Sequence, residues 1–435
     1  MKIKELTIRN YKRFVTEQNI SFCNPNGQIN DITLLLGTNG SGKTSVLQLI
    51  AALVGSAVRK NMQPDQLEWS GYNYSFLQNG NLPLKAQATI TFTPEETTTT
   101  HNFAQRLQDM GKPIPHLPQT SLNIQLQLDY DGNKVDAIGG AGHYFQMSGY
   151  QYALQLKTYE QNAWALFQHI GAIYWYTEQR TAFSFQNPEH NRNNTNALRD
   201  MLCGFYYFHK DVESGKIQLR EGQQDFYANI ERLYQQIFPN RSFIGAEPNR
   251  KDPYQRDFWL KEEPNNYYEL SGMSAGEQAI FPILIDFALM NINNSIVLID
   301  EIELHLNPTM LQTLLRLLPN LGTNNQFIIT SHSPYIIREL PSSSILLIDN
   351  DVVKPLAVYT QGRDLNSISN DVFGIPARPK EYTEKLSKLY WFIEEENATE
   401  AQKLLNELQQ LWGEHDSEIF RAKLYLDDLL ITEQN

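Results

Sequence analysis

Eight consecutive residues near the N-terminus form the clearest chemical pattern in the chain. Gly37-Thr38-Asn39-Gly40-Ser41-Gly42-Lys43-Thr44 matches a phosphate-binding loop at every fixed position. Its glycines let the backbone curl until successive N–H groups face inward, and the helix that follows adds a positive N-terminal dipole. Lys43 can reach the β- and γ-phosphates of a nucleotide, and the Thr44 hydroxyl can contact Mg²⁺. The residues predicted to hold the nucleotide are Asn39, Gly40, Ser41, Gly42, Lys43, Thr44 and Ser45.

Two adjacent acids follow an apolar run in the second half of the chain. Residues 295–299 predict a strand, and Asp300 and Glu301 come directly after it. Because open α/β sheets bind ligands at the carboxyl ends of their strands, Asp300 suits coordination of Mg²⁺. Glu301 is then the natural group to orient or deprotonate an attacking water. This pattern is weak evidence alone and strong evidence beside a phosphate-binding loop.

The elements that must position these groups read as alternating strands and helices. A buried strand is predicted at Ile32–Leu36, and an apolar helix face follows the loop. Further helices are predicted at 276–290 and 311–318, and further strands at 172–176, 296–299, 327–329 and 345–348. This alternation predicts an α/β fold: a parallel sheet with crossover helices.

The rest of the first 240 residues predicts an antiparallel lobe and a helical insertion. Alternating apolar residues predict half-solvated strands at 3–8, 20–22, 86–92 and 122–130. The threonine- and proline-rich stretch between the last two predicts an exposed excursion. Helical patterns at 198–208 and 226–238 predict an insertion over about 196–240. No heptad pattern is sustained, which excludes long coiled-coil arms.

One aromatic and basic turn leaves two interpretations open. Asn10-Tyr11-Lys12-Arg13-Phe14 lies between the first two predicted strands, about where an adenine ring could stack. A plain hairpin turn is the alternative.

Composition and charge limit the class of protein. The chain has 435 residues, of which 41% are hydrophobic, enough for a sizeable core and more than one average domain. Its net charge of −13 argues against a chain-wide nucleic-acid-binding surface, although not against a local basic groove. Cys23 and Cys203 form no metal-ligand pattern, which favours a reducing compartment. With no apolar run near the ~20 residues of a membrane span and no signal-peptide core, we expect a cytoplasmic protein without membrane contact.

Two further motifs complete a resemblance to a known family. Ser274-Ala275-Gly276-Glu277-Gln278 precedes a predicted helix, and Thr330-Ser331-His332-Ser333-Pro334 follows a predicted strand. Together with the phosphate-binding loop and Asp300-Glu301, they occur in the order found in ABC-type ATPases. The segment from Asp300 to Pro308 resembles the RecF, SMC and OLD branch and differs from the transporter motors. The resemblance covers about residues 1–348.

The resemblance implies a mechanism shared between two copies of the chain. In this family two ATPase heads pair head to tail and enclose ATP with Mg²⁺, so we expect a homodimer of heads or a higher oligomer. The resemblance implies that Ser274 and the Gly276 backbone bind the γ-phosphate across the dimer, while His332 contacts it in cis. Ala275 stands where the family has glycine, which predicts slow turnover. The Mg²⁺-binding glutamine of the family has no clear counterpart, and Gln179 is the candidate.

The C-terminal segment, predicted at 349–435, differs in character. From Lys380 onward it has 6 basic and 13 acidic residues, in helical patterns that could cap the sheet or bind a partner. This tail resembles PtuA, the ATPase subunit of Septu-type anti-phage defence systems, and similar ATPases accompany some retrons. That resemblance implies a regulatory ATPase with a separate HNH-type nuclease partner, and contact with nucleic acid through the complex. The alternative is a DNA-repair ATPase that clamps DNA directly between its heads.

Overall fold

The computed structural model describes residues 1–59, 83–114, 121–128, 134–138, 143–160, 164–177, 182–184, 195–220, 223–249, 252, 254–374 and 376–433. Its strands are β1 Lys2–Arg9, β2 Gln18–Ser21, β3 Ile32–Leu36, β4 Lys85–Thr91, β5 Asn123–Leu128, β6 Val135–Ala137, β7 Ile173–Tyr176, β8 Ala182–Ser184, β9 Arg241–Pro248, β10 Arg256–Glu262, β11 Asn266–Glu269, β12 Ile296–Ile299, β13 Gln326–Ser331, β14 Ile345–Asp349 and β15 Val352–Pro355. Its helices are α1 Lys43–Val58, α2 Pro94–Asp109, α3 Gly149–Leu156, α4 Thr195–Glu213, α5 Phe226–Ile237, α6 Ala275–Met290, α7 Pro308–Leu317, α8 Pro334–Ile337, α9 Leu365–Phe373, α10 Lys380–Glu394, α11 Ala398–Trp412 and α12 Ser417–Glu433.

A seven-stranded sheet in the order β15-β14-β3-β13-β12-β7-β8 carries the candidate site. Its five inner strands run parallel, and β8 and β15 pair antiparallel at the edges. Every residue of β3, β12 and β13 is buried, as expected for parallel strands covered on both faces. The predicted α/β fold with a parallel sheet is confirmed by this strand order.

A five-stranded antiparallel sheet in the order β2-β1-β4-β5-β6 forms the predicted lobe. The stretch after β4 is not the exposed excursion that we predicted, because α2 begins there. Thr93 caps α2 in a reciprocal capping box with Glu96, and Pro94 occupies the first turn. Phe103, Ala104 and Leu107 are buried on this helix.

Three strands follow the two helices that lie within the predicted insertion. After α4 and α5, the antiparallel strands β9, β10 and β11 form a three-stranded sheet. Tyr227 and Tyr234 of α5 pack their rings against Phe243 of β9, which also contacts Phe258 of β10 and Phe281 of α6. This aromatic cluster attaches the insertion to α6.

Residues 1–362 form one compact unit, and residues 363–435 form a second. The boundary therefore lies later than the expected residue 348, because β15 pairs with β14 and the Thr360 hydroxyl donates to the Leu340 carbonyl at 2.7 Å. In the second unit, α10, α11 and α12 pack around a small apolar core. Its fully or nearly fully buried members are Leu389, Ala401, Leu405, Leu408, Ile419, Ala422 and Leu426. No helix in the described ranges is both long and apolar enough to span a membrane.

Candidate nucleotide-binding site

The phosphate-binding loop connects β3 to α1, as the sequence predicts. Gly40 and Gly42 have φ values of +76° and +104°, in the left-handed region that favours glycine. A Cβ atom on Gly42 would also lie 3.0 Å from the buried ring of Phe14, so a side chain there would combine backbone strain with a tight contact. Gly42 is the N-cap of α1 and no side chain caps the helix. The first N–H groups of α1 therefore suit an anion.

The other residues predicted to hold the nucleotide lie in the loop and in the first turn of α1. Asn39 is exposed, whereas Ser41 and Ser45 are buried. Ser41 Oγ has no hydrogen-bond partner among the described residues, which leaves a buried hydroxyl beside the cradle. A loop with this orphaned hydroxyl and an uncapped helix start fits a bound phosphate group.

Lys43 points back into the loop. Its Nζ donates to the carbonyl oxygens of Gly37 at 2.8 Å and Thr38 at 3.0 Å. Burial lowers the pKa of Lys43, and the nearby carboxylates of Glu301, Glu303 and Asp300 oppose that shift. The ammonium is thus partly desolvated beside a group of acids. Phosphate oxygens would supply the negative charge that favours its protonated form.

A hydrogen bond between residues 256 positions apart joins the two main motifs. Thr44 Oγ1 donates to Asp300 Oδ2 at 2.8 Å, which links the start of α1 to the end of β12. Hydroxyl and carboxylate oxygens are the ligands that Mg²⁺ prefers, so this pair fits the predicted ion. When bound, Mg²⁺ would neutralise charge on the phosphates. Gln179, the third predicted ligand, lies outside the described residues.

Thr330 of β13 holds both acids in place. Its hydroxyl donates to the second oxygen of Asp300, Oδ1, and accepts the backbone N–H of Glu301 at 2.7 Å. Glu301 has a φ of +45°, an uncommon backbone conformation for a residue with a long side chain. No role was predicted for Thr330, although its place two residues before His332 at the end of a strand was a usable signal.

His332 is paired with Glu303, for which no role was predicted either. Glu303 Oε1 accepts the backbone N–H of His332 at 2.9 Å and lies 3.0 Å from its ring atom Nδ1. The carboxylate is largely buried and the imidazole is half exposed. The loop after β12 therefore supplies the partner of the predicted histidine.

Ser274 occupies the N-cap of α6 and is exposed. It forms a reciprocal capping box with Glu277, whose carboxylate accepts the Ser274 N–H at 2.8 Å. Gly276 is buried: a Cβ atom there would lie 2.8 Å from Met310 Cε and 3.1 Å from the His305 carbonyl oxygen. A side chain at this position would therefore crowd the His305 carbonyl oxygen and displace the end of the Met310 side chain. The exposed helix start suits an anion, as the prediction requires.

Glu277 connects this helix start to the insertion. Tyr268 donates to its carboxylate at 2.7 Å, Tyr234 also donates, and the Arg241 guanidinium pairs with it. Burial alone would raise the pKa of Glu277, but the hydrogen bonds from Tyr234, Tyr268 and Ser274 hold it below its usual value. The position of Ser274 is therefore coupled to α5 and to the three-stranded sheet.

The turn at residues 10–14 is a hairpin turn between β1 and β2. Tyr11 and Phe14 are fully buried, so their rings are not an open platform for adenine. Arg13 instead pairs with Asp351 at 2.7 Å and donates to the Gly40 carbonyl of the phosphate-binding loop. For the two aromatic residues of this segment, the structure therefore favours the alternative, a plain turn, over adenine stacking.

Comparisons with known proteins agree with this geometry. Residues 1–139 match the family described as "AAA ATPase domain", and residues 155–338 match "AAA domain, putative AbiEii toxin, Type IV TA system". The first match includes the phosphate-binding loop, and the second includes Ser274, Asp300, Glu301 and His332. The prediction of an ATPase is confirmed at the level of the domain.

Retron-associated ATPases are among the similar proteins. The chain is 32% identical over 170 residues to the Retron Ec83 probable ATPase of Escherichia coli. This alignment covers 36% of this chain and 31% of that protein. It is 38% identical over 88 residues to the Retron Vc95 probable ATPase of Vibrio cholerae serotype O1 biovar El Tor. That alignment covers 18% of this chain and 17% of the relative. The alignments thus span less than a third of either relative.

Solved structures of SMC heads show a distant likeness. The SMC head domain from Thermotoga maritima has a TM-score of 0.41 at 15% identity, covering 82% of this chain and 100% of that one. The SMC head bound to the C-winged helix domain of ScpA has a TM-score of 0.43 at 15% identity, covering 81% and 96%. Both TM-scores are below 0.5, and the fold of this chain is defined by its own strand order.

Proposed function

We propose that this protein is a Mg²⁺-dependent ATPase of the ABC type, in the RecF, SMC and OLD branch. The hydrogen bond between Thr44 and Asp300 carries this proposal, because it brings the phosphate-binding loop and the acidic strand end into one site. Lys43 binds the β- and γ-phosphates, and Thr44 and Asp300 hold the ion. Glu301 orients or deprotonates the attacking water, and His332 contacts the γ-phosphate.

We further propose that two heads pair and that Ser274 serves the site of the partner head. Within the described residues, the hydrogen bonds of the Ser274 backbone N–H and hydroxyl go to Glu277 of the same chain. The exposed start of α6 is therefore available to a phosphate from a second copy of the chain. Hydrolysis then depends on dimer formation, and Ala275, which adds a methyl group at this surface, keeps the turnover slow.

The third part of the proposal is a regulatory role in bacterial anti-phage defence, as in Septu-type and retron-associated systems. The similarity to two retron ATPases supports this role. In it, the ATPase controls a separate HNH-type nuclease in the cytoplasm, and nucleic acid is reached through the complex. The second unit, with 8 basic and 15 acidic residues over 363–435, offers an acidic helical surface for a basic partner.

Co-purification with an HNH nuclease encoded beside this gene tests the regulatory role. We expect a stable complex whose nuclease activity changes when ATP is replaced by a non-hydrolysable analogue. A protein that binds no nuclease but binds duplex DNA with steep salt dependence would instead be the DNA-clamping ATPase.

A further inference from the structure

A single carboxylate oxygen holds His332 at two points. Glu303 Oε1 accepts the backbone N–H of His332 at 2.9 Å and lies 3.0 Å from Nδ1 of the same residue. The Glu303 side chain is 13% exposed and the His332 side chain 48% exposed. A largely buried acid thus fixes both the backbone and the ring of a solvent-facing histidine.

This contact decides which ring nitrogen carries the proton. An ionised carboxylate oxygen only accepts hydrogen bonds, so Nδ1 must be the donor. A neutral imidazole has one N–H group, and Nε2 is therefore left with its lone pair. Nε2 carries a proton only when the whole ring is an imidazolium. In either form, Nε2 is the nitrogen that Glu303 leaves available.

The surroundings of Glu303 place the pair beside the phosphate-binding loop. Ile302, the residue before Glu303, donates its backbone N–H to the Thr330 carbonyl at 3.1 Å. Thr330 also donates to Asp300, which contacts Thr44 of the phosphate-binding loop. The Glu303 carboxylate is one of three that oppose the lowering of the Lys43 pKa. The second oxygen of Glu303, Oε2, is buried and has no hydrogen-bond partner among the described residues. The described hydrogen bonds of this carboxylate therefore all go to His332.

We infer that Glu303 is a positioning residue for ATP hydrolysis, which holds His332 with Nδ1 protonated and presents Nε2 to the γ-phosphate. This inference deepens the proposed function and rests on it. A buried carboxylate has the same effect on the histidine of a Ser-His-Asp triad, where it selects the tautomer and the ring orientation. Outer carboxylates that orient metal-bound histidines act similarly.

Nitrogen NMR of the histidine rings tests the tautomer in the full chain without nucleotide. The spectrum of His332→Gln identifies the signal of His332. At a pH where the ring is neutral, we expect Nδ1–H in the wild type and loss of this preference in Glu303→Ala. Glu303→Gln should keep it, because an amide oxygen that accepts the His332 backbone N–H can still accept from Nδ1. An Nε2–H tautomer in the wild type, or an unchanged ring in Glu303→Ala, overturns the inference.

A second histidine–carboxylate pair supplies the matched control. His169 Nδ1 lies 2.9 Å from Glu95 Oε1, at the start of α2 and outside the candidate site. Glu95→Ala should leave both the His332 signal and ATP hydrolysis as in the wild type. This variant separates the loss of any such pair from the loss of the pair at the site.

Steady-state kinetics tests what the tautomer does. We expect kcat to fall by about 10- to 100-fold in Glu303→Ala, the range known for outer carboxylates that orient histidine ligands, with KM unchanged. The decrease in kcat should be smaller in Glu303→Gln. An active wild type whose kcat survives Glu303→Ala overturns the role in hydrolysis. A wild type that hydrolyses no ATP contradicts the proposed function, and the NMR result then still decides the proton position.

Discussion

At the scale of single residues, the site depends on side chains that meet from distant parts of the chain. Thr44 and Asp300 are brought into contact by α1 and β12, and Thr330 of the neighbouring strand holds Asp300 and Glu301. One side chain of each hydrogen bond can be substituted while the helix or strand that carries it is retained. The separate roles of these residues can therefore be tested one at a time.

Lys43→Ala should weaken ATP binding by at least about 100-fold, because it removes two charge-assisted hydrogen bonds of about 1.5–3 kcal/mol each. Isothermal titration calorimetry measures the loss. Lys85→Ala is the matched control, since Lys85 pairs with Glu17 on the surface at 2.9 Å. Unchanged affinity in Lys43→Ala would mean that the loop does not bind the triphosphate.

Glu301→Gln should bind ATP normally and lower turnover by about 100-fold or more, because it keeps the shape of the site and removes the base. Head dimers should accumulate with ATP, which light scattering after size-exclusion chromatography would detect. Turnover close to that of the wild type would show that Glu301 is not the acid–base group.

The sequence predicted some residues of the candidate site and missed others. Lys43, Thr44 and Asp300 belong to local motifs whose spacing carries the chemistry, and the structure brings them together. Thr330 and Glu303 act through contacts across 29 to 30 positions of the chain. Such contacts depend on strand register, which no local pattern specifies.

At the scale of elements, α6 connects the signature serine to the insertion. The Glu277 carboxylate at its third position is buried and accepts hydrogen bonds from Tyr234, Tyr268 and Ser274. Arg241 of β9 neutralises it. A change in the insertion can therefore reach the start of α6 through this one carboxylate.

Glu277→Gln should lower the free energy of unfolding by about 2 kcal/mol or more at pH 7, because a buried charge pair loses one partner. The native pKa of Glu277 lies below the ordinary value of 4.5, so its contribution is fully present above that pH. It is lost as the pH falls through the native pKa. Chemical denaturation at pH 7 and pH 3.5 measures the gap in the free energy of unfolding between the wild type and Glu277→Gln. This gap should be smaller at pH 3.5. A constant gap would contradict the ionised state of Glu277.

Strands were predicted correctly where burial on both faces produces a continuous apolar run in the sequence. The continuous apolar runs of β3 and β12 predicted both strands because parallel strands are buried on both faces. The helix α2 was missed because its threonine run disfavours helix, although Thr93, Pro94 and Glu96 form a readable helix start. No prediction was made for the strands β9, β10 and β11, whose pairing depends on contacts with each other.

At the scale of the whole molecule, the proposed mechanism requires that two chains share each ATP site. A mixture of Ser274→Arg and Lys43→Ala protein tests this sharing. In a mixed dimer one site combines an intact Lys43 with an intact Ser274, and the other is doubly damaged. We expect hydrolysis to recover partly in the mixture, measured against each variant alone.

The most direct test of the shared site is ATP binding and hydrolysis by Ser274→Arg, measured on the same preparation. The arginine places a bulky side chain at the exposed start of α6 and leaves the phosphate-binding loop of each head intact. We expect wild-type ATP affinity by calorimetry together with loss of both ATP-driven pairing and hydrolysis. Full hydrolytic activity in Ser274→Arg would contradict the shared site.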